Sequence, residues 1–239
     1  MYEWLITPID ADRVHQVGFF ISWHGRFMSV AWAGMIPLGI IVARFFKVTP
    51  TQAWPQQLDN KQWWHAHRFL QYGATVVMAI GSILILFRAT ELMGSNFHTR
   101  VGWFVVCLAA LQITSGIYRG TKGGPTAPAP DGSLAGDHFD MTPYRCFFEY
   151  YHKIMGYVLF FTASYCIVTG MWIANAYNWM WLALGIWWVA LILLVIYLQR
   201  SGACFDTYQA IWGPDKSLPG NQLKPIGWGV NTKTPWKRN

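Results

Sequence analysis

Four histidines stand near the starts of four long apolar stretches, each with an Arg or Lys within two positions: His24 with Arg26, His67 with Arg68, His98 with Arg100, His152 with Lys153. An ionisable side chain in a membrane span is costly, so its first reading is functional. Imidazole is also a common metal ligand. Two histidines in opposed helices can grip a haem iron from both sides. Nearby cations can then pair with the haem propionates, which need charge partners in a low-dielectric site. The four histidines therefore read as two pairs of axial ligands, with Arg26, Arg68, Arg100 and Lys153 as candidate propionate partners. The competing role for each cation is interfacial snorkelling.

Such ligands need long apolar helices to hold them, and the chain supplies these. It is 54% hydrophobic and only 12% charged over 239 residues, a balance that suits a polytopic membrane protein. Charge-free apolar stretches fall at 27–43, 69–87, 101–118, 154–174 and 179–198. Each is near the ~20 residues that cross a hydrocarbon core. Aromatics gather at their ends, among them Trp23, Trp63, Trp64, Trp103, Tyr150, Tyr151, Tyr177, Trp179 and Trp181, as interfacial belts do. The predicted fold is all-α, with helices at 17–46, 63–89, 97–119, 145–175 and 179–200. Four form the ligand-bearing core and the fifth packs outside it. Pro37 is expected to kink the first helix, its freed carbonyl being satisfied by a neighbour.

The domain reading is an external N-terminal tail at 1–16, a membrane domain at 17–200 with an inner loop at 120–143, and a cytoplasmic tail at 201–239, either disordered or laid on the protein or a partner. The first span has no small-residue cleavage site and is read as retained. Arg44, Lys47, Lys61, Arg119, Lys122, Arg145, Arg200, Lys237 and Arg238 would share one side, against Arg13 and Arg88 on the other. The positive-inside rule then places the N-terminus outside and the C-terminus in the cytoplasm, with a bacterial inner membrane as the expected location. The formal charge of +7 follows this topology, so nucleic acid is not an expected partner. Four propionates would lower it to about +3.

Alternating helix direction pairs the histidines as His24 with His98 and His67 with His152. Gly102 and Gly156 lie four residues after His98 and His152, on the same helix face, where a missing side chain leaves room for a flat ring. Gly116 and Gly170 lie eighteen residues after the same histidines, five turns on, and would line the opposite haem. For any single glycine, close helix packing is the competing role. The two irons are expected roughly 20 Å apart. His65 is the rival ligand on the second helix. Met28, one turn from His24, is a conceivable axial thioether. His15 and His138 are expected to be solvated. A single zinc site would need its ligands together, which two separated layers do not provide. No Cys-x-x-Cys-His occurs, so covalent haem attachment is not supported. Cys107 and Cys166 read as packing residues, and Cys146 and Cys204 as reduced cytoplasmic thiols.

These residues resemble the cytochrome b561 family, in the form that follows a DOMON domain in ferric-reductase-like proteins. The stretch from His24-Gly-Arg through Pro37 to Arg44 is the most specific. Trp63-x3-His67-x3-Gln71, His98-x3-Gly102 with Gln112 and Arg119, and Tyr150-Tyr-His152-x3-Gly156-Tyr157 follow in order and spacing. The resemblance covers about residues 20–200 and implies a helical core with two haem b groups on His24, His67, His98 and His152. It implies electron transfer across a membrane, between a quinol or soluble reductant and a redox partner protein or ferric chelate. Ferric-reductase-like activity would follow from the same resemblance. Only about twenty residues precede the core, so a separate redox subunit is the expected partner. The other readings are a haem-bearing membrane anchor subunit of a larger complex, and a transporter with intramembrane histidines.

Overall fold

A computed structural model describes residues 2–15, 17–87, 96–120, 128 and 130–236. Arg88, Lys122 and the Lys237-Arg238 end, used above to orient the chain, lie outside these residues, as does part of the inner loop at 120–143.

Five helices are long and apolar enough to cross a membrane: α1 (Phe19–Phe45), α2 (Gln62–Leu86), α3 (Phe97–Ile117), α4 (Pro143–Ile173) and α5 (Asn178–Arg200). They coincide with the five apolar stretches. Among the described residues there are no strands, only isolated bridges at Pro8–Tyr177 and Phe205–Asn231. The helices turn large apolar side chains outward, as Phe69, Phe161, Ile186 and Leu193 do. Faces that apolar suit lipid and not water. The protein is an all-α integral membrane protein.

α1 accommodates Pro37 through a π-helical turn at Val30–Met35. Proline has no N–H to donate to the carbonyl four residues back, which is Ala33. Trp187 Nε1 of α5 donates to that carbonyl at 2.7 Å. The freed acceptor is thus satisfied by a neighbouring helix, as a membrane interior requires.

The chain divides into two compact units. The first comprises Met1–Gly39, Phe69–Ala109 and Val158–Leu194. Its core is Ala31, Trp32, Ala33, Ala74, Met78, Val105, Ala109, Leu159, Ala163 and Ile167, drawn from α1–α4, with Leu184 of α5 partly buried against it. Five of these ten are alanines, which let membrane helices approach closely. The N-terminal segment is stapled onto the α4–α5 turn. Asn175, in the left-handed region at φ 49°, accepts from Asp10 N and donates to the Asp10 and Arg13 carbonyls. His15 Nδ1 lies 2.8 Å from the Ala174 carbonyl, so this imidazole is tied to the protein and not simply solvated.

The second unit comprises Ile40–Arg68, Ala110–Tyr157 and Val195–Asn239. Here the C-terminal segment is folded, which excludes the disordered alternative for its described part. Asp206 caps a short helix, α6 (Thr207–Trp212), by accepting from Gln209 N at 3.0 Å. Burying Tyr208, Ile211 and Trp212 against Phe139, Met141 and Leu218 removes enough apolar area from water to hold so short a helix in place. Trp236 Nε1 donates to the Val48 carbonyl and Lys47 Nζ to the Phe205 carbonyl. Burial pushes the Lys47 ammonium down to about 8.

Candidate functional site

The first unit brings His24 and His98 together. Their ring centroids are 6.4 Å apart and the planes cross at 88°. A metal–imidazole bond is about 2 Å, so two rings coordinating one ion from opposite sides have centroids about 6 Å apart. Each ring also has its Nδ1 occupied. His24 Nδ1 lies 2.9 Å from the Gly81 carbonyl, and His98 Nδ1 lies 3.2 Å from Thr169 Oγ1. A carbonyl only accepts, so His24 carries its proton on Nδ1 and leaves the Nε2 lone pair open. Fixing the tautomer through the other nitrogen is how proteins prepare an imidazole ligand.

Two glycines mark the space around these rings. A Cβ at Gly170 would stand 2.9 Å from His98 Cε1, whereas one at Gly102 would meet nothing within 4 Å. Met28 packs against Gly81 and the hydrophobic core. Arg26 and Arg100 are both exposed. Arg26 donates to Ser22 Oγ and lies over the Trp23 ring at 5.2 Å.

The second unit holds His67 and His152, which lie within electrostatic reach of each other. His67 is half-buried while its rival His65 is exposed. His152 Nδ1 is 3.5 Å from Ser115 Oγ, and the His152 carbonyl accepts from Gln112 Nε2 at 2.7 Å. Gly116 faces His152, where a Cβ would lie 3.6 Å from Cε1. A Cβ at Gly156 would come 3.2 Å from Gln112 Nε2, so that glycine admits the glutamine. Arg68 and Arg119 lie over the Trp64 ring at 5.7 and 3.8 Å, and Trp64 in turn lies 6.4 Å from the His67 ring. Arg119 thus joins Arg68 as a cation near this imidazole.

Lys153 has partners within the protein. Its ammonium is 2.7 Å from Glu149 Oε2 and donates to the Ile226 carbonyl at 2.7 Å. Glu149, with a side chain 7% exposed, is also 3.4 Å from Arg145 Nη2. Residues 145, 149 and 153 form an i, i+4 ladder on one face of α4. That spacing is readable in the sequence, where Arg145 and Lys153 were given separate tasks and Glu149 none.

His138 is the clearest correction. Expected in solvent, it is fully buried, and its Nδ1 accepts from Trp212 Nε1 at 2.9 Å. The proton must then sit on Nε2, 3.9 Å from Glu149 Oε1. Burial first, and then the Arg145 charge, push this imidazole down to about 3, so it is neutral and no ion pair forms despite the distance. Cys107, expected in packing, is exposed. Among the described residues no three His, Cys, Asp or Glu side chains gather as a metal-ion site.

Paired imidazoles on membrane helices define a class of protein that can carry a gripped metal group within a bilayer. Comparison with known proteins points to one family relationship. Human ferric-chelate reductase 1 is 29% identical over 119 residues, 49% of this chain and 20% of that protein. A cytochrome b561, DM13 and DOMON domain-containing protein of Arabidopsis thaliana is 28% identical over 204 residues, 82% of this chain and 20% of that protein. A cytochrome b561 and DOMON domain-containing protein of the same plant is 32% identical over 92 residues, 38% of this chain and 22% of that protein. These likenesses support a cytochrome b561 family relationship. The chain spans only about a fifth of the length of these relatives. No family model matches it, and no solved structure does. The relatives are eukaryotic, so they give no support to a bacterial inner membrane or to the orientation expected above.

Proposed function

We propose that the protein is a dihaem b-type cytochrome that passes electrons across a membrane. The observation that carries this reading is the His24–His98 pair: two imidazoles at ligand spacing, each with Nδ1 occupied, leaving Nε2 to face a metal. The second unit holds His67 and His152 within electrostatic reach of each other, with His152 Nδ1 3.5 Å from Ser115 Oγ. The relationship to cytochrome b561 proteins supports haem b as the group. When bound, haem supplies reversible one-electron chemistry.

The chain's own residues have separate tasks in this reading. His24, His98, His67 and His152 hold the iron. The Gly81 carbonyl, Thr169 and Ser115 orient the rings. Gly170 and Gly116 keep the ring faces clear. Arg26, Arg100, Arg68 and Arg119 neutralise propionates, and Gly102 leaves space beside His98. The spans exclude water, and a ring with Nδ1 in a hydrogen bond and Nε2 on the iron has no nitrogen left to move a proton. The donor is a quinol or soluble reductant, and the acceptor is a redox partner protein or ferric chelate, in keeping with the ferric-chelate reductase likeness. The N-terminus faces outside and the C-terminus the cytoplasm, by the positive-inside rule.

A pyridine haemochrome assay per mole of purified protein, with a reduced-minus-oxidised spectrum, tests the reading. Two low-spin b haems per chain are expected. One haem breaks the proposed wire, and none overturns it.

A further inference from the structure

The loop around Trp228 lies outside every stretch that carries the family likeness, and its geometry is unusual for a segment that faces only water. Three of its carbonyls are bonded to side chains from three different spans. Ile226 O accepts from Lys153 Nζ of α4, Trp228 O from Arg44 Nη2 of α1, and Gly229 O from Gln199 Nε2 of α5, each at 2.7 Å. Arg44 and Gln199 are the penultimate residues of their spans. A loop in water could leave these acceptors to solvent, whereas one at bilayer depth must satisfy them internally.

The depth follows from the same guanidinium. Arg44 Nη1 donates to Tyr157 OH at 3.2 Å. Tyr157 is fourteen residues into α4, which is 31 residues long. At 1.5 Å per residue α4 is about 46 Å long and Tyr157 about 21 Å along it. A hydrocarbon core of ~30 Å includes that point wherever it falls on the helix. The Arg44 head group therefore bridges a residue inside the span and the Trp228 carbonyl.

The side chain itself points away from the protein. Trp228 is 85% exposed and Leu223 is 46% exposed. Gly227 at φ 134° and Gly229 at φ 65° bracket Trp228; these left-handed conformations turn the chain sharply on both sides of the indole. Indole is the side chain that best occupies the headgroup level, apolar in body with one polar N–H. Nearby Arg44 lies 6.0 Å from the ring, adding a cation at the same level.

We infer that this loop is a membrane anchor, with Trp228 and Leu223 seated in the headgroup and carbonyl zone of the bilayer that the spans cross. Its partner is the lipid, and its effect is to hold the C-terminal segment in place within the second unit. The inference does not depend on haem.

The test uses the full chain in lipid nanodiscs, labelled with 5-fluorotryptophan. The Trp228 fluorine line is assigned by its loss in Trp228→Phe, and independently in Trp228→Tyr in case either variant shifts other lines. Gadolinium chelate is then presented either tethered to lipid headgroups or free in water. A Trp228 line relaxed more strongly by the tethered chelate than by the free one is the expected result. A line relaxed more by the free chelate places the indole in water and overturns the inference.

Discussion

His24 and His98 face each other with ring centroids 6.4 Å apart, each held at Nδ1 by a different helix: the Gly81 carbonyl from α2 and Thr169 from α4. Four helices thus meet at one pair of imidazoles. If the pair holds one haem, His24→Ala and His98→Ala should each lower haem content from two per chain to one. The double variant should be no worse than either single one, because the two residues act as one site. Haemochrome titration of the purified variants measures this directly.

The hydrogen bond to His98 predicts a subtler effect. Thr169→Val keeps the side-chain shape but removes the oxygen beside Nδ1. Loss of such an outer partner typically costs about 10–100-fold in metal affinity. Haem should therefore dissociate faster from this pair alone, leaving the other spectral component unchanged. Transfer of haem to an excess of apomyoglobin, followed by absorbance, separates the two. Equal release from both pairs would contradict the assignment.

Glycine positions give a contrast within one experiment. A Cβ at Gly170 would be 2.9 Å from His98 Cε1, and one at Gly116 would be 3.6 Å from His152 Cε1. The first is too close for the ring to stay in place, and the second is ordinary contact. Gly170→Ala should broaden or shift the low-spin signal of its pair in electron paramagnetic resonance. Gly116→Ala should leave its pair's signal in place.

The spans and the meeting of His24 with His98 were legible because bilayer thickness imposes a length and direction on each apolar stretch. Alternating direction then pairs His24 with His98 without any structural knowledge. The partners that orient the rings were not legible: Gly81 contributes a backbone carbonyl, and Thr169 is 71 residues from His98 in sequence. α6 is six residues long, too short to show a helical period, so the fold of the C-terminal segment left no pattern to read. His138 is buried by Trp212, 74 residues away, and nothing local to it signals that. Lys153 was read through its neighbour His152, whereas its closest charge is Glu149 one turn back.

Burial of His138 sets an acid limit on stability. Its folded-state pKa is pushed from 6.5 to about 3. Below pH 6.5 the unfolded chain binds a proton that the folded chain refuses, so stability falls as pH drops, down to about 3. The slope from this one group is at most about 1.4 kcal/mol per pH unit. His138→Asn keeps an acceptor for Trp212 Nε1 but does not titrate. Its melting temperature should fall less steeply than that of the parent chain between pH 6.5 and 4. Parallel curves would show that His138 is not the group responsible.

Glu149 offers the sharpest test of the second unit's architecture. Its carboxylate is buried between Lys153 at 2.7 Å and Arg145 at 3.4 Å, and Arg145 also donates to the Arg119 carbonyl. Glu149→Gln keeps the volume but strips the negative charge from between two cations. Removing one member of a buried ion pair typically costs about 3–5 kcal/mol, because the remaining charge is left uncompensated. Lys153 is 34% exposed on its side chain and can turn toward water, so Lys153→Met should cost less than Glu149→Gln. If Lys153 relaxes in Glu149→Gln, its bond to the Ile226 carbonyl loosens as well. Hydrogen exchange should then accelerate at residues 223–232 in Glu149→Gln, and thermal unfolding should rank the two variants. A Lys153→Met chain less stable than Glu149→Gln would mean that the ammonium, and not the carboxylate, is the centre of this network.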